Sequence, residues 1–124
     1  MQNTSGRIES HRDLVVWQKS MELAELTYRI ADSFPNSEQY RLVAQLTRAV
    51  ASVPANIAEG HARGSRKDYA NFLAIAKGSL MEAETFLMLA VRLKYVSQAE
   101  TAPAFSLIVE ISKMLTSLRK RLLA

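Results

Sequence analysis

Cysteine is absent from the 124-residue sequence, which removes disulfides and thiolate metal sites and fits a reducing cytoplasm. Only four glycines and three prolines occur, which disfavours a loop-rich fold and points to long regular elements. No run approaches the roughly 18 apolar residues that a membrane span requires, and Met1 to Arg12 lack the apolar core of a signal peptide. A soluble, cytoplasmic protein is the expectation. Histidine occurs only as His11 and His61, neither at helical metal-site spacing from a carboxylate, and Glu82 and Glu84 stand two apart on different helical faces. No metal or cofactor is expected. With no cysteine and no serine in a glycine-framed elbow, a nucleophile is lacking too. Gln45, Arg48 and Glu59 around an anionic substrate form the best enzymatic arrangement, but solvated or interface polar groups are the simpler reading. No catalytic residue is assigned and a non-enzyme is expected.

What the chain does have is apolar content, at 48%, and a net charge of +4. A single domain of this length buries roughly two-thirds of its unfolded surface, enough for one core. The basic balance suits nucleic acid or an acidic partner without choosing between them.

Apolar residues recur at steps of three and four in four segments, and no strand pattern competes. In the first, Asp13 to Ser33, the stripe is Leu14, Trp17, Met21, Ala24, Tyr28 and Ala31. Phe34-Pro35-Asn36 stops it, and Asn36 with Gln39 resembles a capping box for a second helix from about Ser37 to Glu59. That helix carries Val43, Leu46, Val50, Val53 and Ile57, with Gly60 placed as a left-handed terminator. Ser65 and Asp68 cap a third, whose stripe runs through Tyr69, Leu73, Ala76, Leu80, Ala83, Leu87 and Ala90 to about Tyr95. The fourth starts at either Ser97, with Glu100, or Thr101, where Pro103 would fall in the first turn. It continues through Ile108, Ile111, Leu115, Leu118 and Leu122, with Arg119-Lys120-Arg121 complementing the dipole at its end.

Helices of about 20 residues, each near 30 Å, with short connections pack most simply as an antiparallel up-down-up-down bundle. The expected organisation is a flexible segment 1–12 followed by an all-α four-helix domain, 13–124. Leu23, Leu26 and Ile30 in the first helix, and Phe72, Ile75, Phe86, Leu89 and Leu93 in the third, form a second apolar set, which points to a homo-oligomer. Trp17 and Tyr40, beside the stripes, read as packing residues.

Pro54 interrupts a helical pattern, where it removes a backbone donor at a cost of about 3 kcal/mol. Ser52 or Asn56 can satisfy the freed groups, and Asn56 and Glu59, three apart, are expected to share a polar network. The structural motif is Pro54, Asn56, Glu59 and Gly60. Beyond it, His61, Arg63, Arg66 and Lys67 occupy a connection free of acids between Glu59 and Asp68. Arg41 and Arg48, seven apart, fall on one side of the second helix. Arg41, Arg48, Arg63, Arg66 and Lys67 are therefore the candidate contacts to RNA or DNA phosphates, with little sequence readout.

Leu14, Val16-Trp17-Gln18-Lys19, Phe34-Pro35, Glu38, Tyr40, Gln45, Arg48, Pro54 and Asn56-Ile57-Ala58-Glu59-Gly60 together resemble the bacterial four-helix proteins encoded in intervening sequences of 23S ribosomal RNA genes. Phe72-Leu73, Ala76, Gly78-Ser79-Leu80 and Glu84-Thr85 extend the likeness. The resemblance implies an antiparallel protomer, a homopentameric ring and a basic surface for nucleic acid. The fold is also similar to the accessory variability protein of diversity-generating retroelements, which implies as an alternative a scaffold or adaptor for a protein such as a reverse transcriptase. Thr47 and Arg41 depart from the family pattern, standing where arginine and glycine are common, so positive charge is shifted along the second helix.

Overall fold

The computed structural model describes residues 7–124, and four helices dominate it: α1 Val15–Ala31, α2 Leu42–Ala62, α3 Arg66–Arg92 and α4 Gln98–Leu123. Each packs on its neighbours in sequence, and α4 closes on α1. Cross-helix contacts fix the directions. From Arg66 to Lys77 on α3 the partners on α4 retreat from Leu122 to Thr116, and from Val16 to Lys19 on α1 they retreat from the stretch Met114 to Arg121 to Glu110. Ser52 of α2 meets Ser79 of α3, whereas Gly60, further along α2, meets Tyr69 and Phe72. Neighbours are thus antiparallel, as the short connections require. Leu23, Leu46, Val50, Ile57, Leu73, Leu80, Leu87, Ile108 and Ile111 fill the centre.

Of the segment 1–12 expected to be flexible, residues 1–6 lie outside the described residues. From Ser10 the chain forms a capped 3-10 turn, His11–Asp13, in which the Ser10 hydroxyl accepts from the Arg12 amide and Asp13 accepts from the Ser10 amide.

The buried face of α1 is not the stripe expected from the sequence. Val16, Ser20, Leu23, Thr27 and Ile30 point inward, whereas Met21 and Tyr28 remain 45% and 50% exposed. Leu23 and Ile30, assigned above to an oligomer surface, belong to the core. The Ser20 hydroxyl is accommodated because it donates to the Val16 carbonyl at 2.7 Å, so a polar residue occupies a core position and hides the true stripe.

Nor does α2 begin at Ser37 with a capping box. Pro35 precedes a 3-10 turn, Asn36–Glu38, and Arg41 has a non-helical backbone, so the helix starts at Leu42. The reason is Glu38, whose carboxylate is turned inward and accepts from the Tyr95 hydroxyl at 2.7 Å. That bond, with the Leu42 amide and the nearby Arg41 charge, outweighs burial and holds the Glu38 carboxyl below its ordinary value of 4.5. A depressed carboxyl stabilises the fold fully above its unfolded value and loses that contribution as pH falls through the folded one. Urea midpoints of wild type and Glu38→Gln should therefore differ most at neutral pH and converge as the pH falls through the lowered value of the Glu38 carboxyl. A gap that stays constant with pH would contradict this.

At the other end of α2, Gly60 terminates nothing: the helix passes through it to Ala62. It is needed for close approach, since a Cβ there would lie 2.7 Å from the Phe72 Cβ. The left-handed terminator belongs instead to α3, where Lys94 adopts φ 64°. The Tyr95 amide then bonds the Ala90 carbonyl, and the Lys94 amide the Val91 carbonyl, the paired closure of a Schellman end. The start of α4 is settled in favour of Ser97, which exchanges both capping-box bonds with Glu100 and leaves Pro103 inside the helix.

Candidate nucleic-acid interface

Antiparallel packing brings the C-terminus of α2, the N-terminus of α3 and the C-terminus of α4 to one end of the bundle. The α2–α3 connection is only Arg63-Gly64-Ser65, and the Ser65 hydroxyl caps α3 by accepting from the Asp68 amide. Arg66 and Lys67 therefore sit in the first turn of α3 rather than in a loop. Arg66 donates Nε to the Leu122 carbonyl at 3.1 Å and Nη2 to the Arg121 carbonyl at 2.8 Å. A cation thus covers otherwise unpaired carbonyls at the negative end of α4. In return Arg119 donates to the Ala70 carbonyl at 3.2 Å. This clasp joins Arg63, Arg66 and Lys67 to Arg119, Lys120 and Arg121, with Glu59 and Asp68 as the carboxylates in the same stretches.

The cations differ in how free they are. Arg63 lies 3.2 Å from Glu59 and stacks its guanidinium 4.9 Å from the Phe72 ring centre, so it is oriented yet solvent-facing. Arg66 and Arg119 spend donors on backbone carbonyls. The side chains of Lys67, Lys120 and Arg121 are exposed and bond to nothing among the described residues. His61 packs edge-on against Tyr69 at 5.7 Å between ring centres, which makes it part of the wall.

The remaining sequence candidates lie elsewhere. Arg41 precedes α2, pairs with Glu38 at 3.5 Å and stands at the opposite end, about 30 Å away by helical rise. Beside it Tyr40 is 92% exposed, so it is not a packing residue; Trp17, by contrast, is half-buried against the core. Arg48 lies partway along α2, donating to Gln45, and lines a polar pocket of about 250 Å³ with Gln45, Ser52, Ser79 and Glu82. Glu59 is three turns further along and engaged with Arg63, so Gln45, Arg48 and Glu59 do not converge.

Nor do Asn56 and Glu59 share a network. Asn56 donates to the carbonyl and hydroxyl of Ser52, at 2.8 and 2.9 Å, and the Ser52 hydroxyl meets that of Ser79 at 2.9 Å. This ties α2 to α3 at the turn that holds the buried Pro54, with Ser52 two residues before it and Asn56 two after. The three cations of α4 that the clasp adds to this end were not among the sequence candidates, because they are more than 50 residues from Arg66 in the chain. The signal that finds them is topological: an antiparallel bundle must put the end of its fourth helix beside the turn between its second and third.

No curated protein matches the chain. A solved structure from Bacteroides thetaiotaomicron, a protein of unknown function of the S23 ribosomal protein family, superposes with a TM-score of 0.79 at 31% identity, covering 86% of this chain and 99% of that one. The family model described as 23S rRNA-intervening sequence protein matches residues 12–117, all but the edges of the bundle. The chain belongs to the 23S rRNA-intervening sequence protein family.

Proposed function

We propose that this is a non-enzymatic, homo-oligomeric protein that binds RNA or DNA phosphates through the cationic end of its bundle. The observation that carries the reading is the clasp of Arg66 on Arg121 and Leu122, which merges two distant basic stretches into one surface. Lys67, Lys120 and Arg121 present free charges there, and the N-terminus of α3 adds partial positive charge. Point charges of this kind position a phosphate backbone and read no base edges, so sequence discrimination should be slight. Exposed apolar residues on three helices, Met21 and Tyr28 on α1, Ile75, Met88 and Leu89 on α3 with Leu93 at its C-cap, and Val109 on α4, support association of copies. A pentamer, as the family resemblance implies, would repeat the cationic end around one axis and multiply its avidity.

Anisotropy titration of a labelled single-stranded RNA and a labelled DNA duplex, each at 50 and 200 mM salt, tests the reading. Counterion release by several cations predicts a loss of affinity on the order of hundredfold or more between those salts, for both probes. No binding at the lower salt removes the proposal. Sedimentation of the free protein, expected to give about five copies on the family resemblance, reads the assembly separately.

A further inference from the structure

Beside the cationic end, the α3–α4 face holds a groove of about 840 Å³ whose apolar floor the phosphate-binding reading leaves unused, although Lys120 on its rim belongs to that reading too. Its apolar lining includes Leu73, Met81, Leu115 and Leu123, and its charged lining consists of Lys77, Arg119 and Lys120, with no carboxylate side chain among the lining residues. Lys77 is held there by donating to Thr116 across the groove at 2.7 Å. A second observation is independent of charge. Gly78 sits in the middle of α3, where glycine is less favourable than alanine by roughly 1 kcal/mol, yet a Cβ there would meet nothing within 4 Å. Unlike Gly60, it serves no contact within the chain. With Ala74 one turn earlier it leaves a bare strip of backbone facing the groove, the feature that lets another backbone lie close.

We infer that the α3–α4 groove is a docking site for an amphipathic helix of a partner protein whose apolar face is flanked by acidic residues. Apolar lining selects against a phosphodiester chain, cationic rims select for acid, and the glycine strip selects for a close-lying backbone. Leu73 to Met81 spans about 12 Å, two turns of a docked helix, which fits anchors at i, i+4 and i+7. This inference does not depend on nucleic-acid binding.

The experiment uses the full chain and a fluorescein-labelled helical peptide with leucines at that spacing flanked by glutamates. Its control carries lysines in place of the glutamates. Binding of the glutamate peptide at least tenfold tighter than the lysine peptide is expected, and Gly78→Leu should weaken it at least tenfold. That variant plugs the groove at an open position and should melt no lower than wild type, so loss of binding is not loss of fold. Its RNA affinity should be unchanged, whereas Arg63→Glu with Lys67→Glu should weaken RNA and spare the peptide. Equal affinity for the two peptides, or full binding by Gly78→Leu, overturns the inference. A wild-type oligomer that Gly78→Leu dissociates would also overturn it, by assigning the groove to a second copy of this chain.

Discussion

Gly60→Ala should destabilise the protein by about 1–3 kcal/mol, visible as a lower urea midpoint and melting temperature, although the substitution improves intrinsic helix propensity. Inside a helix, replacing glycine by alanine ordinarily helps by up to about 1 kcal/mol, so the prediction runs against the local trend and rests on packing alone. The new methyl would stand 2.7 Å from the Phe72 Cβ, 3.1 Å from the Tyr69 ring and 3.3 Å from the Tyr69 carbonyl. The Phe72 Cβ and the Tyr69 carbonyl are attached directly to the α3 backbone and cannot swing aside, so the helices must separate where they are joined by three residues. Separation there also pulls Arg66 from the α4 carbonyls, and RNA affinity should fall with stability. Gly78→Ala is the internal control. It sits on the same bundle in open space, and should leave stability unchanged or raised by about 0.4–1 kcal/mol. Equal effects at the two positions would show that Gly60 is not a packing glycine.

Why some elements were legible in the sequence and others were not follows from the same packing. The buried faces of α2 and α3 are apolar or alanine at nearly every turn, so Leu46, Val50, Val53, Ile57 and Leu73, Ala76, Leu80, Ala83, Leu87 could be read directly from spacing. α1 misled because Ser20 and Thr27 occupy two of its inward positions, which left the half-exposed Trp17, Met21 and Tyr28 as the more continuous apolar stripe. Helix ends failed where a tertiary contact overrode local chemistry. Glu38 turns inward to Tyr95, 57 residues away, which holds Asn36–Glu38 in a 3-10 turn, and Lys94 takes the left-handed role that glycine normally fills. Arg41 was read as lying within the second helix, whereas it is the non-helical residue that precedes Leu42, at the end of the bundle away from Arg63 and Arg66. The cationic end was legible in its local half, Arg63, Arg66 and Lys67, and invisible in its other half.

Reversing Lys67, Lys120 and Arg121 together to glutamate should abolish that surface with little effect on the fold. These side chains bond to nothing among the described residues and are exposed, so each substitution costs the native state little. If the three contact phosphate, the slope of log affinity against log salt should flatten by about three per protomer, and affinity at low salt should fall on the order of a hundredfold or more. Arg66→Glu alone should behave differently. It removes two bonds to the α4 carbonyls and sets a carboxylate beside the negative end of that helix, so melting temperature and RNA affinity should drop together. Arg41→Glu provides the spatial control at the far end of the bundle. An anisotropy titration across salt for these variants separates charge from structure. Should Arg41→Glu weaken binding as much as the triple reversal, the nucleic acid would lie along the length of the bundle, and the clasped end would not be its docking surface.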